Sequence, residues 1–206
     1  FGAAKMKDLG WEQIMDSYAC IMCFRCQEVC PAYNTGKLLS PAALEINKRY
    51  HLNADGATDV PMLNLISEEA VWACTSCGYC TEHCPFYIEH TSKIFEMRRY
   101  LTLMMKSYSL QVKNFFKNVQ RNSNPWGIGW QQRADWAKDR KIPLFAEEME
   151  YLLYVGCAVS FDARNMKVTI ALCDLLDKAG VSYGILGKDE KCCGETARRL
   201  GEEGLF

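Results

Sequence analysis

Two cysteine runs constrain this chain more than any other feature. Cys20, Cys23, Cys26 and Cys30 precede Pro31, and Cys74, Cys77, Cys80 and Cys84 precede Pro85. Both runs follow Cys-x2-Cys-x2-Cys-x3-Cys-Pro. Three thiols at that short spacing can face one side of a tight loop. The fourth, set one residue further on, faces away and must be used elsewhere.

This is the ligand spacing that holds [4Fe–4S] cubes in bacterial two-cluster ferredoxins, where the fourth cysteine of each run serves the other cluster. The expectation is therefore crossed: one cube on Cys20, Cys23, Cys26 and Cys84, and a second on Cys74, Cys77, Cys80 and Cys30. Structural zinc usually takes two Cys-x2-4-Cys or Cys/His pairs, which suits these triple runs less well. A disulfide scaffold belongs to small secreted chains, whereas 206 residues can build a core without staples. His83, beside Cys84, reads as a partly exposed loop histidine, with ligation as the alternative.

Length and composition set the frame. The chain has room for one or two domains, and its 49% hydrophobic content is ordinary for a folded protein. A net charge of −1 gives no bulk attraction to nucleic acid or to an anionic membrane. The longest apolar stretches, such as Tyr151 to Val159, are too short to span a bilayer. Cysteines in metal-type runs point to a reducing compartment, the cytoplasmic side. The start at Phe1 and the stop at Phe206 suggest a piece of a longer polypeptide.

The expected architecture is mainly α with a small α/β part. A helical ferredoxin-like module (residues 1–121) leads through a connector (122–149) to the start of a βαβ domain (150–206). Residues 8–19 read as a helix entering the first run. Ser40-Pro41 is a helix start, with serine as cap and proline at the first helical position, continuing through Tyr50. Asn53 to Pro61 reads as a turn region. Ser67-Glu68-Glu69 begins a helix running into Cys74, with acidic residues in its first turn.

After the second run, Ile94, Met97, Leu101, Met104 and Tyr108 repeat at helical spacing, as do Val112, Phe115, Phe116 and Val119. These read as core packing. Lys93, Arg98, Arg99, Lys106, Lys113, Lys117 and Arg121 make the stretch basic. A solvated face is the favoured reading and a docking face for an acidic redox partner the alternative. Asn124-Pro125-Trp126-Gly127 breaks the pattern.

From Tyr151 the pattern changes. Tyr151 to Val155 reads as a short buried strand, Gly156-Cys157 as a turn, Ala163 to Ala179 as a helix ended by Gly180, and Val181 to Leu186 as a second strand. Strand–helix–strand of this length implies a parallel βαβ unit. Cys157, Cys192 and Cys193 then fall at the carboxyl ends of the strands, where open α/β sheets place their sites. They are candidate ligands of a third, incomplete metal site, against a reading as inert buried thiols. Cys173, inside the helix, reads as core.

On these motifs, together with Asn124-Pro125-Trp126-Gly127, Tyr154-Val155-Gly156-Cys157 and Cys192-Cys193-Gly194, the chain resembles iron–sulfur subunits related to heterodisulfide reductase. The resemblance implies a cysteine-rich "CCG" domain. Its motif is a cysteine, then Cys-Cys-Gly, then a distal Cys-x2-Cys that would fall beyond Phe206. It implies a further iron–sulfur cluster in the complete protein. Phe1 to Trp11, with Thr35-Gly36-Lys37-Leu38-Leu39-Ser40-Pro41, resembles a branch that carries an N-terminal membrane domain. That branch would sit at the cytoplasmic face of the membrane.

The functional expectation is an electron-transfer subunit of an oxidoreductase. Two cubes would pass single electrons from a donor such as a flavoprotein to a quinone, a disulfide or a further cluster, in company with other redox subunits and a membrane or quinone-linked acceptor. The alternative is a catalytic heterodisulfide-type reductase with chemistry at the CCG domain. No residue is assigned a catalytic role, and no G-x-G-x-x-G follows a strand to mark a dinucleotide site.

Overall fold

A computed structural model describes residues 1–55 and 58–206. The chain divides into two compact units, Phe1–Tyr108 with Thr196–Gly204 and Ser109–Glu195 with Leu205–Phe206. As the patterning implied, the architecture is mainly helical with one small parallel sheet.

The first unit is built from two similar halves. Helix α1 (Trp11–Ala19) leads into the first cysteine run, followed by α2 (Arg25–Glu28), α3 (Pro31–Asn34) and α4 (Pro41–Asp55). Helix α5 (Glu68–Ala73) leads into the second run, followed by α6 (Tyr79–Glu82) and α7 (His90–Arg99). Each entering helix stops one residue before the first cysteine of its run, and each run coils through one short helical turn. The initiation signals are local. Ser40 Oγ accepts from the Ala43 N–H at 3.1 Å, and Ser67 Oγ accepts from Ala70 at 3.2 Å, each satisfying an N–H that the helix itself cannot.

Helix α4 runs further than its turn-like continuation suggested. Asn53 and Ala54 are still helical, while Gly56 and Ala57 of the expected turn lie outside the described residues. Met6, Leu39, Leu44, Met62, Leu65, Val71, Ile94, Met97 and Leu101 form the core between the helices. Beyond α7 the chain loosens into a π-helical segment, Tyr100–Met105. The expected stripe therefore ends early, and Met104 is exposed. The segment Thr196–Gly204 packs along α7. Thr102 donates to the Leu200 carbonyl at 2.7 Å. Gly201 lies so close that a Cβ there would stand 2.5 Å from the Arg98 backbone.

The second unit opens with α8 (Leu110–Asn122), which buries Phe116 and Val119. Asn124, fully buried, organises the reversal that follows. Its Nδ2 donates to the carbonyls of Asn122 (2.9 Å) and Ile128 (2.6 Å), and its Oδ1 accepts from Trp126 (3.1 Å) and Ile128 (3.2 Å). A 3-10 segment, Trp130–Ala137, continues the connector.

The βαβ unit is present in reduced form. Strands β1 (Tyr151–Leu152) and β2 (Tyr183–Gly184) pair in parallel, Tyr151 with Tyr183 and Leu152 with Gly184. Between them lie α9 (Gly156–Phe161) and α10 (Ala163–Ala179). Helix α10 is capped by Asp162 and ended by Gly180 at φ +69°, and Cys173 on it is fully buried. Two expectations fail here. Tyr151 and Leu152 are exposed at 56% and 43%, because a narrow two-stranded sheet leaves an apolar strand uncovered on its outer side. Gly156-Cys157 is the first turn of a helix as well as a chain reversal, since Gly156 takes φ +78° and the helix starts from it. A last short helix, α11 (Glu195–Arg199), follows the Cys192-Cys193-Gly194 motif.

Candidate metal centres

The two runs curl in the same way. In the first, Met22 (φ +56°) and Phe24 (φ +61°) are left-handed; in the second, the matching positions are Ser76 (φ +57°) and Gly78 (φ +74°). Left-handed backbone costs an ordinary residue roughly 1–2 kcal/mol. Holding it twice in each loop lets the first three thiols turn toward one side. The first thiol of each run accepts a hydrogen bond from the N–H two residues on, Met22 to Cys20 and Ser76 to Cys74. Pro31 begins α3, where its missing N–H loses nothing, and sends the chain off just after Cys30.

Two cavities result. One is walled by Cys74, Cys77 and Cys80 of the second run and Cys30 of the first. The other is walled by Cys20, Cys23 and Cys26 of the first run and Cys84 of the second. The structure thus brings the eight cysteines together in the two crossed sets. None of the twelve cysteines is in a disulfide. Among the described residues no three His, Cys, Asp or Glu side chains converge closely enough for a single ion; the four sulfurs stand around each cavity instead.

The remaining walls are largely apolar: Leu39, Pro41, Leu44 and Ile94 in the first cavity, Ile21, Phe24, Ala42, Phe86 and Ile88 in the second. Burial pushes the Cys26 thiol up to about 12, helped by the neighbouring Cys20, Cys80, Cys84 and Cys23. It pushes Cys80 up to about 11. Such sulfurs ionise together only around cationic metal, so the donor set fits an iron–sulfur group.

Three features near these cavities were not legible in the sequence. Arg49 donates to the carbonyls of Ser17 (Nε, 2.7 Å), Tyr18 and Cys20. Arg98 donates to those of Val71 (2.8 Å) and Cys74 (2.6 Å). A buried ion cluster underlies the first run: Glu45 pairs with Lys48 at 2.7 Å and Lys93 at 3.0 Å, and Lys93 reaches Asp16 at 2.5 Å. Burial pulls Lys48 below the usual lysine range. Lys93 and Arg98 therefore do not belong to a solvated or docking face, because acids and carbonyls from other elements enclose them. Arg99 is likewise engaged, by Glu96 and Glu203.

The third is His90, the first residue of α7 and 3% exposed. It lines both cavities. Burial pushes its imidazole down to about 4. His83 is the part-exposed histidine expected, its Nδ1 3.1 Å from the Tyr79 carbonyl and its ring edge-on to Tyr79.

In the second unit, Cys157 in the first turn of α9 lies within hydrogen-bonding reach of Cys192, while Cys193 is exposed. Burial pushes the Cys157 thiol up to about 11 against the opposing pull of Arg133. Arg133 is itself buried. Its Nη2 lies 2.9 Å from Glu190, 3.1 Å from the Lys191 carbonyl and 3.4 Å from the Cys157 sulfur. Glu190 in turn accepts from the N–H groups of Val155 and Gly156, both at 2.8 Å. Arg133 carries no sequence signal; it sits in a polar run of the connector.

Comparison with known proteins agrees with this layout. Models described as 4Fe-4S dicluster domains match residues 8–85 and 73–126, and a model described as a cysteine-rich domain matches 151–206. An EtfAB:quinone oxidoreductase of Syntrophomonas wolfei is 43% identical over all of this chain and 34% of its own length. A probable membrane-anchored ferredoxin of Chromohalobacter salexigens is 34% identical, again over all of this chain and 34% of its own. One component of the dihydromethanophenazine:CoB–CoM heterodisulfide reductase of Methanosarcina acetivorans is 28% identical over 95% of this chain and 50% of its own length. The chain thus spans about a third to a half of the length of these relatives. With two dicluster-type loops walling two four-thiol cavities and a cysteine-rich domain after them, the chain carries two [4Fe–4S] clusters and is similar to the heterodisulfide reductase-related iron–sulfur proteins.

Proposed function

We propose that this chain is the electron relay of an oxidoreductase, with one cube held by Cys20, Cys23, Cys26 and Cys84 and the other by Cys74, Cys77, Cys80 and Cys30. The observation that carries this is the make-up of the two cavities, each walled by three thiols of one run and the fourth of the other. Each cube takes up and gives back a single electron. The protein keeps both in apolar surroundings and ties their loops to one helical frame.

The donor is a flavoprotein and the acceptor a quinone-linked membrane partner, a reading supported by the names of the relatives. The site of action is then the cytoplasmic face of a membrane. Among the described residues no helix is long and apolar enough to cross one.

A second reading, reductive catalysis at the cysteine-rich domain, is favoured by one observation: Cys157, Cys192 and the buried Arg133 are gathered in one place. Cys157, Cys192 and Cys193 are its candidate ligands for a third cluster in the complete protein.

Anaerobic purification with iron and sulfide analysis tests the relay. About eight irons per chain, four for each cube, with two centres reducible one electron at a time, is the expected result. Zinc without acid-labile sulfide would refute it. In the complete protein, a Cys193→Ala variant that loses turnover with both cubes still reducible would favour the catalytic reading.

A further inference from the structure

One imidazole borders both cluster cavities, and among the described residues its buried Nδ1 makes no hydrogen bond. His90 follows the loop that leaves the second run and opens α7. That helix is pinned along its length: Lys93 is ion-paired with Asp16 and Glu45, Ile94 and Met97 sit in the core, and Arg98 is bound to the carbonyls of Val71 and Cys74. The ring is therefore held in place by its helix.

Among the described residues its Nδ1 is buried and makes no hydrogen bond. Leaving such a group unpaired carries an uncompensated desolvation cost. Its neighbours Pro41, Leu44, Ile88 and Ile94 offer no side-chain acceptor. Thr75 and Thr91 also line the walls, and the Ile88 backbone and the Glu45 carboxylate act on the ring, but none of them gives Nδ1 a hydrogen bond. What the two cavities do offer is cluster sulfur.

We propose that His90 donates a hydrogen bond from Nδ1 to sulfur of a cube at the border of the two cavities, and that this one donor raises that cube's reduction potential relative to its neighbour's. Hydrogen bonds to sulfur favour the more negative, reduced state and are among the main determinants of cluster potential. A single donor at the border biases the difference between the two cubes, and so the direction of the electron's preferred residence. This rests on the ligand sets proposed above.

The test compares wild type with His90→Leu and His90→Asn, each purified anaerobically, analysed for iron and titrated under paramagnetic resonance. In His90→Leu one cube should become at least tenfold harder to reduce, 59 mV lower for a one-electron couple. His90→Asn, which keeps an amide donor near the same place, should recover most of that loss. Protein carrying ¹⁵N-histidine in a His83→Gln background should show histidine nitrogen coupled to a reduced cube, and the coupling should vanish in His90→Leu.

An iron-replete His90→Leu protein with both potentials unchanged would overturn the proposal. So would the absence of histidine coupling in iron-replete protein that retains His90, a measurement that holds even if the leucine variant fails to load. Missing iron in the wild type would instead strike the ligand assignment.

Discussion

Arg49 and Arg98 do the same work in the two halves of the cluster module. Arg49 binds the carbonyl of Cys20 and that of Ser17, three residues before it. Arg98 binds the carbonyl of Cys74 and that of Val71, three residues before it. In both places a helix ends against a cysteine loop, and its last carbonyls have no N–H ahead of them. A guanidinium from a helix on the far side of the run closes that gap, with five donors in a planar fork.

Arg98→Met should therefore loosen the loop that holds Cys74, Cys77 and Cys80. Hydrogen bonds from a charged group are worth about 1.5–3 kcal/mol each, and several are lost together. The expected result is a stability loss of about 3 kcal/mol or more, read as a lower urea midpoint. Faster loss of iron to a chelator from one cube should accompany it. An unchanged midpoint with unchanged iron release would contradict the role.

The crossed cavity walls make a sharper claim. Cys30→Ser should disturb the cube on Cys74, Cys77 and Cys80, although Cys30 lies in the other run. Cys84→Ser should disturb the cube on Cys20, Cys23 and Cys26. Paramagnetic resonance of each reduced variant identifies the altered centre. Damage confined to each cysteine's own run would refute crossed ligation.

Asn124→Ala removes four hydrogen bonds around a buried reversal. Alanine leaves the carbonyls of Asn122 and Ile128 and the N–H groups of Trp126 and Ile128 without that partner. A loss of about 2–3 kcal/mol is expected, measured by urea unfolding, with earlier protease cleavage near Pro125. Wild-type protease resistance would show that the turn is held by something else.

Glu190→Gln leaves Arg133 buried without its counter-charge. Breaking one side of a buried pair costs about 3–5 kcal/mol, so this variant should be among the least stable single substitutions in the second unit. Combined with Arg133→Met, the double variant should be clearly less damaged than the sum of the two, because the buried charges leave together. Strict additivity in a double-mutant cycle would mean the two residues do not act as a pair.

How much of this was legible in the chain depends on range. Cysteine spacing, the caps Ser40 and Ser67 and the stop at Gly180 act within three or four residues, so the residues themselves determine them, and the structure agrees. The helix at Gly156–Phe161 was hidden for a local reason: the left-handed glycine that starts it is also the mark of a turn. The uncovered strand at Tyr151 departs from the buried strand expected there, because an apolar run cannot say how wide its sheet will be.

Only the tertiary structure decided which charges are buried. Lys93 meets Asp16 across 77 residues, Arg133 meets Glu190 across 57, and Arg98 reaches the Arg199 carbonyl across 101. In sequence Lys93 and Arg98 read as a basic surface; in the fold their partners make burial tolerable, since a charge leaves water only when paired or hydrogen-bonded. The same distance in sequence hid His90, whose place between the cavities exists only once the two runs have come together.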